Sequence, residues 1–123
     1  MKVERVRAEL ARMALQPGIE GCALVEAGTG LVWHASGTSA DDERVWEAAV
    51  DYWRLYERQK AQFTGLGPLG AAVMYHAVGM LVVLPCCVDP AVLLVLHGRH
   101  RVVDWIALQR MARVLGALLK SPG

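Results

Sequence analysis

The sequence predicts an α+β fold: one sheet with helices on one face and a second layer on the other, in the order α-β-β-α-β-β-β-α. Two observations carry that expectation. Between Ala61 and Gly98, Asp89 stands alone as an Asp, Glu, Lys or Arg. A membrane-crossing helix needs about 20 mostly apolar residues, but Gly65, Gly67, Pro68, Gly70, Gly79, Pro85 and Pro90 cut this stretch into strand-length runs. Runs this apolar, without hydrophobic-polar alternation, belong to strands covered on both faces. The second observation is that the segments on either side place apolar residues at helical spacing among charged ones.

The elements follow in order. Val3, Val6, Leu10 and Met13 recur at helical spacing, with Lys2, Glu4, Arg5, Arg7, Glu9 and Arg12 between them, and Pro17-Gly18 ends this first helix. IEGCALVE and LVWHA flank Ala27-Gly28-Thr29-Gly30, whose glycines suit a tight turn, so the pair reads as a β-hairpin. Ile19, Gly21, Ala23 and Val25 are expected on one face, Cys22 and Leu24 on the other. Ser39 with Asp42 resembles a capping box, opening a second helix that runs to about Gln62. LGAAVMYHAV, MLVVLPCC and AVLLVLH supply three strands, with turns at Gly79 and Asp89-Pro90. A last helix is expected from about Val102 to Leu119. Val103, Ile106, Arg110 and Val114 lie near one line, beside Trp105, Leu108, Met111, Ala112, Leu115 and Leu119.

The second helix carries more apolar surface than one contact uses. On a helical wheel Glu43, Arg44, Glu47, Asp51, Arg54 and Arg58 fall in one narrow sector, and Val45, Trp46, Ala48, Ala49, Val50, Tyr52, Trp53, Leu55 and Tyr56 fill most of the rest. The apolar arc is roughly 220°, against about 100° for a helix lying on its own sheet. Two Trp and two Tyr are in the surplus, residue types enriched where interfaces anchor. A subunit contact is expected there.

The totals bound the function. The 123 residues are expected to form one domain spanning 1–123, with an ordinary core. A net charge of +1 comes with no basic tract and no acidic tail, and Arg99 and Arg101 beside His97 and His100 make too weak a cluster for nucleic-acid binding. The charged N-terminus lacks the apolar stretch of a signal peptide. Three cysteines, Cys22 and the adjacent Cys86 and Cys87, do not describe a disulfide framework, and a reducing cytoplasm is the expected location.

Candidate chemistry is thin. Gly65-Leu66-Gly67-Pro68-Leu69-Gly70 spells GxGxxG, but a helix precedes it and a strand follows, the reverse of a dinucleotide site. Cys86, Cys87, His97 and His100 could converge, yet adjacent cysteines and H-x2-H do not match zinc-ligand spacing. A cysteine nucleophile needs a positioned base and a lowered pKa. His34 and His76 read as hydrogen-bonded strand residues. Glu20 and Glu26 stand about 20 Å apart at strand rise, too far for a carboxylate pair. No catalytic residue, metal or cofactor is assigned, and a non-enzyme is expected.

With its elements in this order, the chain resembles the roadblock / dynein light chain family, and bacterial roadblock-like proteins among them. PGIEGCALVEAGTGLVWHASG is similar to the family's opening hairpin, and AVLLVLHGRHRVVDWIALQRMARVLGALL to its last strand and closing helix. The resemblance implies a five-stranded antiparallel sheet with the first and last helices on one face and the second on the other. It implies a homodimer through the second helix and third strand, with Val45, Ala49, Tyr52, Trp53, Tyr56, Leu69, Ala71, Val73 and Tyr75 at or near the contact. It further implies a scaffold or regulatory role in signalling, with a small Ras-like GTPase as partner. The aromatic second helix and the HGRHR loop depart from the family's usual pattern. The alternative reading is a small-molecule sensor in which Trp33, His34, His76 and the cysteines line a cavity.

Overall fold

In the computed structural model, which describes residues 3–99 and 103–120, the first apolar stripe becomes α1 (Val3–Ala14). It buries Val6, Leu10 and Met13, the positions whose spacing predicted it, together with Glu9, whose carboxylate accepts from Arg12 at 3.1 Å. The hairpin strands β1 (Ile19–Glu26) and β2 (Val32–Gly37) follow. Next come α2 (Glu43–Gln59) and a 3-10 segment, Lys60–Leu66. The chain closes with β3 (Ala72–Tyr75), β4 (Met80–Val88), β5 (Ala91–Gly98) and α3 (Trp105–Lys120). The strands form one antiparallel sheet in the order β2-β1-β5-β4-β3.

Coverage of both faces explains the missing alternation. Cys22, Leu24, Val82, Leu84, Leu94 and Leu96 point into one cluster with α1 and α3. Ala23, Val25, Leu81, Val83, Leu93 and Val95 point into a second cluster beneath α2. Positions 21–25 of β1, 80–84 of β4 and 92–96 of β5 are therefore dry, as burial on both faces requires.

Three irregularities re-aim side chains. A register shift between Ile19 and Gly21 sends Ile19 into the α1/α3 cluster, not to the face of Ala23 and Val25 as strict alternation predicts. A second, between Leu24 and Val25, sets Trp33 and His34 against Leu24. A third, between Pro85 and Cys87, turns both Cys86 and Cys87 toward α3. At the end of the hairpin Gly37 has φ +103°, and a Cβ there would lie 2.5 Å from the Glu20 carbonyl oxygen, so only glycine fits.

Several boundaries depart from expectation. α2 stops at Gln59 and tightens into the 3-10 segment before Gly67, which takes φ +82°. The capping box does not form: Asp42 is the N-cap without a side-chain bond, and the Ser39 hydroxyl is drawn to His97 instead. β3 holds four residues, so Leu69 and Ala71 precede it. α3 starts at Trp105, where Asp104 accepts the Ala107 N–H at 3.1 Å and caps the first turn. The Gly65–Gly70 stretch ends the 3-10 segment at Leu66 and continues irregularly toward a strand, as its context predicts. Lys2, His100, Arg101 and Val102 lie outside the described residues.

Candidate interaction surface

α2 is held to its own sheet by a narrow stripe. Trp46, Ala49 and Val50 are buried, and the Trp46 indole N–H donates to the Ala40 carbonyl at 3.1 Å. Val45 and Trp53 are half-buried beside them. Beyond that stripe the helix is apolar and open: Tyr52 is 47% and Leu55 49% exposed. Trp53 packs on Tyr56 with ring centroids 5.5 Å apart, and Tyr56 stacks on Phe63 of the 3-10 segment at 6.3 Å. Phe63 is 41% exposed. The outcome is an aromatic ridge along α2 and its continuation, facing away from the sheet's own cover.

Beside this ridge lies a sheet edge. β3 pairs with β4 on one side only, so among the described residues its other side carries no ladder. Ala72 and Met74 share α2's side of the sheet, whereas Ala71 and Val73 pack toward α1 and α3. A groove of about 360 Å³ runs between α2 and the β3–β4 turn, lined by Val45, Tyr52, His76, Val78, Leu81 and His97. An open strand edge with an apolar helix next to it is a surface that associates unless it is covered.

Among the described residues the polar groups do not assemble a reaction centre. The Ser39 hydroxyl lies 3.4 Å from His97 Nδ1, and Glu20 Oε2 lies 3.9 Å from the same nitrogen. A Ser-His-carboxylate relay needs serine and carboxylate on opposite ring nitrogens. Glu20 also pairs with Arg99 at 3.5 Å, which makes the group a surface ion cluster. Burial pushes the Cys22 thiol up to about 12, and it donates to the Leu10 carbonyl. Burial, then the neighbouring Cys87, pushes Cys86 up to about 12, and its thiol donates to the Ala112 carbonyl. Those thiols are the reverse of activated nucleophiles. Among the described residues no three His, Cys, Asp or Glu side chains form a metal-holding group.

The fold can be compared with solved structures. It is similar to a Roadblock/LC7 domain from Streptomyces avermitilis, at 16% identity and a TM-score of 0.74, over 94% of this chain and 92% of that one. The chain has the roadblock/LC7 fold. The likeness extends to Myxococcus xanthus MglB, at 15% identity and TM-score 0.73, over 97% of this chain and 94% of that one. The gliding protein MglB from Thermus thermophilus matches at 15% identity and TM-score 0.75, over 94% of this chain and 88% of that one. No family model matches the sequence, and no curated protein matches it.

On this roadblock frame the residues expected at a subunit contact separate by position. Tyr52 and Tyr75 are exposed, and Val45, Trp53, Tyr56, Leu69, Ala71 and Val73 are half-buried. Ala49 is fully buried against the chain's own sheet. Leu55 and Phe63 extend the open ridge. Phe63 was legible as an aromatic seven residues after Tyr56, but it falls just past the predicted helix end. Trp33, His34, His76 and the cysteines do not line one cavity. The Trp33 indole donates to Glu26, and Arg7 donates to His34. His76 borders the α2 groove and Cys86 a separate one behind α3. Burial, then Arg7, lowers the His34 pKa, which keeps that ring neutral as an acceptor. Among the described residues no helix is long and apolar enough to cross a membrane.

Proposed function

We propose that this roadblock-fold chain is a non-enzymatic, cytoplasmic, homodimeric scaffold or regulator of a signalling protein, with a small Ras-like GTPase as its first candidate partner. The observation that carries the dimer is the open ridge of Tyr52, Leu55 and Phe63, with half-buried Tyr56 packed among them, beside the unladdered edge of β3. Two copies related by a twofold axis would cover ridge with ridge and join β3 to β3, removing both liabilities in one self-complementary contact. Val45, Trp53, Ala72 and Met74 flank that contact, Val73 and Tyr75 belong to the paired edge, and Leu69 and Ala71 precede it. The GTPase rests on the resemblance of the sequence to its family, and the absence of an assembled reaction centre among the described residues is consistent with a binding role.

The test is solution mass by light scattering over a dilution series, for wild type and Tyr52→Arg. Because Tyr52 is half exposed, the variant is expected to fold and run as a monomer while wild type stays dimeric. A wild-type monomer, or a variant dimer of unchanged affinity, overturns the contact. Trp53→Arg is the harsher change, since Trp53 also packs on the α2 core. Nucleotide-dependent capture of a purified small GTPase on the immobilised dimer tests the partner. No capture in either nucleotide state removes the GTPase and leaves the dimer standing.

A further inference from the structure

The opposite side of the molecule carries its own signal. α3 contains Arg110, Arg113 and Lys120 and no acidic residue. At 100° per residue these three share one stripe with Ile106, Val114 and Ala117, and all six are exposed. Ile106 is 68% and Val114 42% exposed, so aliphatic and cationic groups are interleaved on that face. None of the three cations forms an ion pair among the described residues.

A groove of about 540 Å³ runs along this stripe between α3 and the far half of β4. Its wall comprises Leu84, Pro85, Cys86 and Gly116, and Arg113 and Lys120 stand on it with no acidic neighbour in the lining. The groove exists for two structural reasons. β3 stops pairing at Val83, so past it β4 is paired by β5 alone and its other edge is uncovered. Gly116 lets the helix approach so closely that a Cβ there would lie 2.9 Å from the Cys86 carbonyl oxygen.

The geometry points to this groove and the outer stripe of α3 as the docking site for an acidic, amphipathic segment of a partner protein. Charge selects the occupant: unpaired cations interleaved with aliphatic side chains complement carboxylates interleaved with apolar ones. Shape selects protein over lipid. A concave channel receives side chains, while a membrane surface meets a convex face and favours aromatic anchors; the exposed stripe has none. The inference extends the scaffold reading to a partner-binding face. It does not depend on the dimer contact, because α3 and α2 lie on opposite faces of the sheet.

The experiment measures binding of the full chain to a fluorescein-labelled peptide of leucine and glutamate at helical spacing. The same peptide with lysine for glutamate, and phosphatidylserine vesicles, are run beside it. The acidic peptide is expected to bind, to weaken as salt rises, and to bind roughly tenfold more weakly to Arg113→Glu/Lys120→Glu. Ala117→Trp, which obstructs the groove without altering charge, is expected to weaken it as well. Equal binding of both peptides, unchanged binding by the reversed variant, or binding of vesicles alone overturns the proposal. So does a larger wild-type oligomer that the reversed variant dissolves, since the occupant would then be a second copy. Light scattering on the same samples keeps the two surfaces apart: a failed dimer with intact peptide binding sinks only the α2 contact, and the converse sinks only this site.

Discussion

At the scale of single residues, burial decides chemistry. Cys22 is a small core hydrophobe whose hydrogen bond to Leu10 ties α1 to β1, and Cys86 ties β4 to α3 in the same way. Both thiols titrate near pH 12 when folded, against about 9 in an open chain. From pH 9 upward the unfolded state therefore gives up thiol protons that the native state keeps. The stability these thiols confer is complete below pH 9 and declines as pH rises toward 12. Urea unfolding followed across that range is expected to show a shallower alkaline decline for Cys22→Ala than for wild type. At pH 8, both thiols should label slowly with maleimide in the folded protein and rapidly in denaturant. Fast labelling of Cys22 in the fold would contradict its place in the core.

At the scale of elements, each helix divides into a face that anchors and a face that is left over. α2 anchors through Trp46, Ala49 and Val50 and leaves an aromatic ridge. α3 anchors through Leu108, Met111, Leu115 and Gly116 and leaves a basic-aliphatic stripe. Their starts differ as well. The Asp104 carboxylate caps α3, while Asp42 makes no side-chain cap for α2. Asp104→Ala is expected to cost about 1 kcal/mol in chemical denaturation, and Asp42→Ala well under that. Equal costs would show that the α3 cap does not hold in solution. The apolar surplus on α2 was legible because a wheel counts residues. Which of them face inward was not, because Trp46 and Trp53 differ by their distance from the sheet and not by type.

At the scale of the molecule, the two sheet faces carry different leftovers, and the edges differ too. β2 is tied to the first layer by Arg7 and His34 and by the α1 packing, whereas β3 is short and open. If the open side is a homodimer contact, stability depends on protein concentration, since association favours the folded state by mass action. The wild-type Tm is expected to rise with concentration and the Tm of Tyr52→Arg to stay flat. A flat wild-type Tm would place the ridge outside any self-contact.

Much of the architecture follows from pattern alone. Apolar runs without alternation, cut by glycine and proline, require a sheet wet on neither face; helical spacing at both ends supplies the layers, and the element order leaves few ways to connect them. The resemblance of the hairpin and closing helix to the roadblock family agrees with the fold that emerged. Three-dimensional packing alone decided the bulges that re-aim Ile19, Trp33 and Cys86, the shortness of β3, and the division of its residues between the two faces. The physical reason is that periodicity along a chain is local. A one-residue bulge, or the ladder between β3 and β4 that stops at Ala72 and Val83, is settled by contacts between segments far apart in sequence.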